Sequence, residues 1–236
     1  MIDTHCHLLP GLDDGARSQA EAIRMARRLV EFGIHRVVCT PHYSQRFQTS
    51  VPAASRRLAA LREVLQTLRI GLALDLAAEL SPELAVLAPD EEIVTRSLPG
   101  GYAIVELVPT TTAEVVDGTL ERFANLDLLP IFAHPERCRA VQRQPTVLDD
   151  ARAAGAFVQV VAASLTGQVQ DGVAAAAWNL IESGRADLLA TDAHRPHTAQ
   201  IQLRSVASVV ARRYGGELAE TLTSRNPALL LEKARV

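Results

Sequence analysis

A chain of 236 residues, 48% hydrophobic and 22% charged, has the make-up of a globular protein with room for one α/β barrel, which excludes a disordered or low-complexity chain. Its formal net charge of −3 lacks the broad basic field that duplex nucleic acid demands, and no apolar run has the length of a membrane span. The start, Met1-Ile2-Asp3-Thr4-His5, is acidic instead of basic and apolar, so the expectation is a cytoplasmic protein with no membrane insertion and no nucleic-acid partner.

The first apolar, β-prone run covers residues 1–5. Ala22, Met25, Leu29 and Phe32 then recur at helical spacing, as do Ala54, Leu58, Leu61, Leu65 and Leu68 after a second run at 36–40. A third run lies at 72–77, and Pro99-Gly100-Gly101 marks a turn before a fourth at 103–107. Thr112 is placed to cap a helix through Val116, Leu120 and Phe123. Further runs follow at 129–133, 157–161 and 187–191, then helical patterns at Leu203, Val206 and Val210 and from Glu217 onward. Seven apolar runs separated by one-sided helices predict an α/β protein with a parallel sheet covered on its outside. A closed or distorted (β/α)7 TIM-like barrel, with residues 1–236 as a single domain, is the expected architecture.

The polar residues that interrupt this pattern fall at the C-terminal ends of the predicted strands. They are His5 and His7, His42, Glu79, Glu106, His134, and Asp192 with His194, while Asp14 lies in the loop Gly11-Leu12-Asp13-Asp14-Gly15. Those ends share one mouth in a parallel barrel, so residues far apart in the chain converge. A lone strand-end histidine is usually structural, but five histidines with four carboxylates form a donor set suited to Mn, Fe or Zn. His5-Cys6-His7 and Asp192-Ala193-His194 each place two donors on one side of an extended segment. The sixth predicted strand offers no ligand, His35 reads as structural, and His197 lies near the mouth without an assigned part.

The series His5-x-His7, Asp14, Thr40-Pro41-His42, Glu79, Glu106, His134-Pro135-Glu136-Arg137 and Asp192-x-His194 resembles the PHP (polymerase and histidinol phosphatase) family along the whole chain. Within it, Leu12-Asp13-Asp14-Gly15, Ala133-His134-Pro135-Glu136-Arg137 and Ser164-Leu165-Thr166-Gly167 resemble the bacterial protein-tyrosine phosphatases of capsule and exopolysaccharide synthesis. The resemblance implies a distorted seven-stranded barrel holding three divalent metals, commonly manganese, with Fe, Zn or Mg as alternatives. His5, His7, Glu79 and Asp192 are then implied at the first; Glu79, Glu106 and His134 at the second; and Asp14, His42 and His194 at the third. Activated water is the implied nucleophile, and the phosphotyrosine tail of a bacterial tyrosine kinase or polysaccharide co-polymerase the implied substrate.

Beside the ligand His134, Arg137 offers a bidentate fork to phosphate oxygens, with Arg139 and Arg195 as further substrate-binding candidates. Cysteine chemistry is excluded by spacing, because the sixth residue after Cys6, Cys39 and Cys138 is Leu12, Gln45 and Gln144 where an arginine is required. The odd number of cysteines and the lack of a C-x-x-C pair also argue against a disulfide framework. The chain departs from the phosphatase subgroup at Ala199, where an arginine is common, and Arg195 or His197 are candidate replacements. Two alternatives follow: a histidinol-phosphate or other small-molecule PHP phosphoesterase, and a phospho-tail binding protein without turnover.

Overall fold

In the computed structural model, residues 1–167, 169–197 and 201–232 are described. Their strands are β1 (Ile2–Cys6), β2 (Arg36–Cys39), β3 (His42–Tyr43), β4 (Ala73–Leu76), β5 (Glu79–Leu80), β6 (Tyr102–Glu106), β7 (Leu129–Ala133), β8 (Phe157–Val161) and β9 (Leu188–Ala190). All pair in parallel, in two sheets ordered β1-β2-β4 and β3-β5-β6-β7-β8-β9.

The α/β class and the parallel strands agree with the sequence pattern, whereas the expected single seven-strand ladder is divided. Pro41, which has no N–H to donate, separates β2 from β3, and the Ala78 N–H turns away to Arg96 O, separating β4 from β5. The two sheets therefore share continuous chain at these kinks. On their other side, a parallel bridge between Cys6 and Ala193 joins the end of β1 to the segment after β9, with Asp192 N donating to His5 O at 2.9 Å.

Successive strand residues point to opposite faces, and both faces are buried. Val37, Ala103, Val105, Phe132 and Leu189 join the large core beneath the helices; Val38, Ile104, Ile131 and Leu188 form a smaller cluster on the other face. This double burial explains why the strands read as continuous apolar runs. The C-terminal Leu230 completes the smaller cluster and packs on Gly100, where a Cβ would come within 2.8 Å of Leu230 O.

The helices follow from capping and one-sided apolar spacing. Ser18 accepts from Glu21 N to start Gln19–Glu31, which buries Ala22, Met25, Ala26 and Leu29. Ser50 does the same for Val51–Thr67, burying Ala54, Leu58, Leu61 and Leu65. Thr112 occupies the N-cap of Ala113–Ala124, but its side chain makes no capping bond. The helix expected from Glu217 is broken into Gly216–Glu220, a π turn at Thr221–Arg225 and Asn226–Leu229. Thr221 and Thr223 direct their hydroxyls to carbonyls four residues back, a local competition that bends helices.

Candidate metal centre

The C-terminal ends of the strands bring the nine predicted donors together. Glu79, fully buried at the start of β5, divides its carboxylate between them. Its Oε1 lies 2.7 Å from His134 Nε2, while Oε2 lies 2.8 Å from His42 Nδ1, 3.2 Å from His7 Nε2 and 3.3 Å from His5 Nε2. Asp192 Oδ1 stands 3.5 Å from both His5 Nε2 and His7 Nε2, and its Oδ2 accepts from Arg137 Nη2 at 2.8 Å. Asp14 Oδ1 faces His42 Nε2 at 3.4 Å and His194 Nε2 at 3.5 Å.

Among the described residues, three groups have ligand atoms close enough to share a cation: His7, Asp14, His42 and His194; His5, His7 and Asp192; and His42, Glu79 and Glu106. They differ in detail from the sets implied by resemblance. His7 joins Asp14, His42 and His194, and His42 approaches the two glutamates, while His134 meets the cluster through Glu79 Oε1.

The donor chemistry fits divalent cations. His5 Nδ1 donates to Gln159 Oε1 at 2.8 Å, His7 Nδ1 to Asp13 Oδ2 at 2.7 Å, and His194 Nδ1 to Asp192 O at 2.9 Å. Each of these rings thus turns Nε2 toward the cluster, which is how oxygen partners behind a histidine set its tautomer for a metal. The Nε2 atoms of His5 and His7 are only 3.2 Å apart, and two lone pairs at that separation repel unless positive charge lies between them. Glu79 Oε2 is buried among three imidazole nitrogens, none of them in good hydrogen-bond geometry to it, so its charge is met by neighbouring positive charge instead of by a well-aligned donor.

Burial disfavours charge on His5 and His7, but Glu79, Asp192 and, for His7, Asp13 outweigh it and lift both above the usual histidine range. Burial also opposes ionisation of Glu79 and Asp192, yet the surrounding histidines hold both carboxyls well below the carboxylate range. Glu106 moves the other way, raised by burial and by the charge of Glu79. The centre thus demands positive charge between its carboxylates. Protons supply it, or cations that displace those protons.

The backbone also reflects the assembly. His134 (φ 39°, ψ 47°) and Asp192 (φ 53°) are left-handed, a conformation that costs non-glycine residues about 1–3 kcal/mol and persists where surrounding contacts enforce it. In the loop after β1, Gly15 packs so tightly that a Cβ would lie 2.2 Å from His7 O, so only glycine lets the Asp13-Asp14 turn fold back onto His7.

Several supporting residues escaped the strand-end pattern. Gln159 belongs to β8, the sixth predicted strand, which supplies a brace where no ligand was expected; its amide also donates to Thr4 Oγ1 at 2.8 Å. Asp3 accepts from His5 N and from Thr191 N and Oγ1, tying β1 to the segment that carries Asp192. Burial pushes the Asp3 carboxyl up to about 6 in spite of those bonds. Glu136 favours the charge of Arg137 without a hydrogen bond to it and accepts from Val161 N and Ser164 Oγ, at 3.1 and 2.7 Å, pinning the Pro135–Arg137 turn to the end of β8. Asp13 accepts from His7, Gly15 N and His42 N together. The doubled aspartate beside Gly15 was its only signal in the sequence. Asp13→Ala is expected to weaken manganese affinity about 10- to 100-fold, as titration with a competing chelator would measure.

The remaining candidates differ in placement. Arg137 leans over the cluster from the turn after β7 with its side chain 39% exposed. Arg139 is exposed, and its backbone N–H meets Pro109 O at 3.4 Å. Arg195 turns Nη1 onto the carbonyls of Gly15 and His194, bridging the Asp14 loop to the His194 segment. His197 is exposed, and Ala199 lies outside the described residues. Cys6, Cys39 and Cys138 are buried free thiols, and burial raises Cys6 far above its ordinary range. That environment is inert, in keeping with a packing role.

The chain matches the family described as capsular polysaccharide synthesis, CpsB/CapC, over residues 1–232. It belongs to that family. It is 30% identical over 248 residues to the tyrosine-protein phosphatase YwqE of Bacillus subtilis (strain 168), spanning 100% of this chain and 93% of that relative. The tyrosine-protein phosphatase CpsB of Streptococcus pneumoniae is 22% identical, with 98% of each chain covered. Among solved structures, one reported for YwqE from B. subtilis and CpsB from S. pneumoniae, "unique metal-dependent tyrosine phosphatases", aligns with a TM-score of 0.88 and 26% identity over 100% of this chain and 96% of the other. The lactonase Lmo2620 of Listeria monocytogenes shares the fold, with a TM-score of 0.59 and 11% identity over 99% of this chain and 95% of its own. Family membership agrees with the resemblance carried by the histidine and carboxylate motifs.

Proposed function

We propose that this chain is a metal-dependent protein-tyrosine phosphatase of capsular or exopolysaccharide synthesis, acting in the cytoplasm on the phosphotyrosine tail of a bacterial tyrosine kinase. The carrying observation is the convergence of His5, His7, Asp14, His42, Glu79, Glu106, His134, Asp192 and His194 into overlapping donor groups, with the buried Glu79 carboxylate meeting His5, His7 and His42 at one oxygen and His134 at the other. Family membership supports the reaction class, as does the similarity to tyrosine phosphatases named as metal-dependent. Three divalent cations, manganese foremost, are the proposed cofactors. We further read the two sheets as one distorted seven-stranded barrel, the kinks at Pro41 and Ala78 joining them on one side and the Cys6–Ala193 bridge on the other.

When bound, the cations supply Lewis acidity, lower the pKa of water and clamp the oxygens of an in-line displacement. The protein's own part is geometric and electrostatic. Glu79, with one oxygen on each side of the cluster, is the residue suited to bridge two sites. Asp192 does similar work, giving Oδ1 to the histidines and using Oδ2 to fix Arg137. One guanidinium N–H of Arg137 is thereby committed, and its remaining donors are available to the nonbridging oxygens of a phosphate held at the mouth. In the net reaction the water oxygen bonds to phosphorus as the phosphorus–tyrosyl oxygen bond breaks, one water proton ending on the released phenol and the other remaining on the phosphate.

Purified protein supplied with manganese is expected to hydrolyse p-nitrophenyl phosphate and phosphotyrosine peptides. Exhaustive chelation should lower the rate at least about 100-fold, with recovery on adding manganese back. Undiminished turnover after chelation would contradict the reading. A higher kcat/KM for histidinol phosphate than for phosphotyrosine peptide would move the substrate to small molecules, and tight phosphopeptide binding with no turnover would favour a binding protein.

A further inference from the structure

A hairpin beside the cluster carries groups that the metal centre does not use. After β3 the chain reverses within residues 44–47: Ser44 N donates to Phe47 O at 3.0 Å, Phe47 N donates to Ser44 Oγ at 3.1 Å, and Tyr43 bridges Gln48 in antiparallel sense. Held at both ends, the turn sets the half-buried Phe47 ring against His42, with centroids 5.6 Å apart and planes 11° from parallel. Arg46, exposed at the tip, places its guanidinium carbon 5.0 Å from the Phe47 centroid.

Aromatic residues make up only 4% of this chain, so their positions are informative. Tyr102 and Phe157 pair at the N-terminal ends of β6 and β8, away from the mouth, and Trp178 is covered by Arg213. Among the described residues, Phe47 is the one Phe, Tyr or Trp ring in ring contact with a histidine of the cluster.

We propose that Phe47 is a specificity-determining residue: with the Arg46 guanidinium it forms the subsite for the aryl group of an aryl phosphomonoester, favouring aryl over alkyl esters. The inference rests on the phosphatase reading and deepens it by naming what selects the leaving group. In this proposal the ester substituent of a phosphate held at the cluster passes His42 and meets the Phe47 ring stacked on it, with Arg46 beside that ring. An aromatic substituent gains there by offset or edge-to-face packing with one ring and by contact with a guanidinium. A short alkyl substituent presents no π face and gains less.

The test compares manganese-loaded wild type with Phe47→Ala and Phe47→Tyr. The kcat/KM ratio of p-nitrophenyl phosphate to β-glycerophosphate is expected to fall about fivefold to tenfold in Phe47→Ala and to be retained in Phe47→Tyr. Calorimetric binding of phenylphosphonate against methylphosphonate should lose its preference in the same variant, a readout independent of turnover. Circular dichroism and manganese content check that the variants are folded and loaded. A Phe47→Ala variant that weakens both classes equally, or neither, overturns the proposal, as does a wild type that does not prefer phenylphosphonate. Wild type that prefers phenylphosphonate yet hydrolyses neither ester would instead sink the phosphatase reading, leaving the subsite to the binding comparison.

Discussion

Glu79→Gln is expected to lower the manganese-supported kcat/KM by about 1,000-fold or more, the equivalent of several kcal/mol of lost charge stabilisation. The substitution preserves shape and removes one negative charge at the point where four histidines converge, at 2.7 to 3.3 Å. A carboxamide presents an N–H₂ on one side, so it cannot offer an acceptor to His134 and to the His5–His7–His42 group together. Manganese should raise the Tm of the wild type through binding to the folded state and raise that of Glu79→Gln much less. Wild-type turnover together with a wild-type manganese-induced shift in Tm would remove Glu79 from the centre.

Arg137→Ala should cost about 100- to 1,000-fold in kcat/KM by removing a donor aimed at developing charge. Arg137→Lys should restore little, because an ammonium cannot reproduce a planar fork that serves a carboxylate and a phosphate together. The sign of the metal effect separates this role from a ligand role. Arg137 now shares Asp192 Oδ2, so its loss leaves Asp192 less neutralised and should leave manganese affinity unchanged or tighter. Activity lost in step with manganese would show that Arg137 supports the metal centre instead of the phosphate.

Asp13, Asp3, Gln159 and Glu136 show the limit of reading a site along the chain. Each braces a donor or Arg137's turn, and each has at least one partner that only folding brings near: Gln159 reaches His5 across 154 positions, and Thr191 reaches Asp3 across 188. Donor residues betray themselves by type and by their place at strand ends. Bracing residues are ordinary polar side chains, and their role depends on which backbone or imidazole they happen to meet. Arg195, a substrate-binding candidate by position, also ties two segments together, its Nη1 donating to the Gly15 and His194 carbonyls.

By itself, the amino-acid order determined the parallel α/β class and the one-sided helices, and it pointed to the nine histidine and carboxylate side chains that lie near one another at the strand ends. It could do so because helical spacing, doubly buried strands and strand-end polarity are local consequences of periodicity and burial. Tertiary structure alone decided the division into two sheets at Pro41 and Ala78, and the sharing of donors that brings His7 and His42 toward more than one group. It also decided the tautomers imposed by Asp13 and Gln159 and the placing of Phe47 against His42. These depend on distances between segments remote in sequence, set by packing across the C-terminal ends of the strands, which no local pattern encodes.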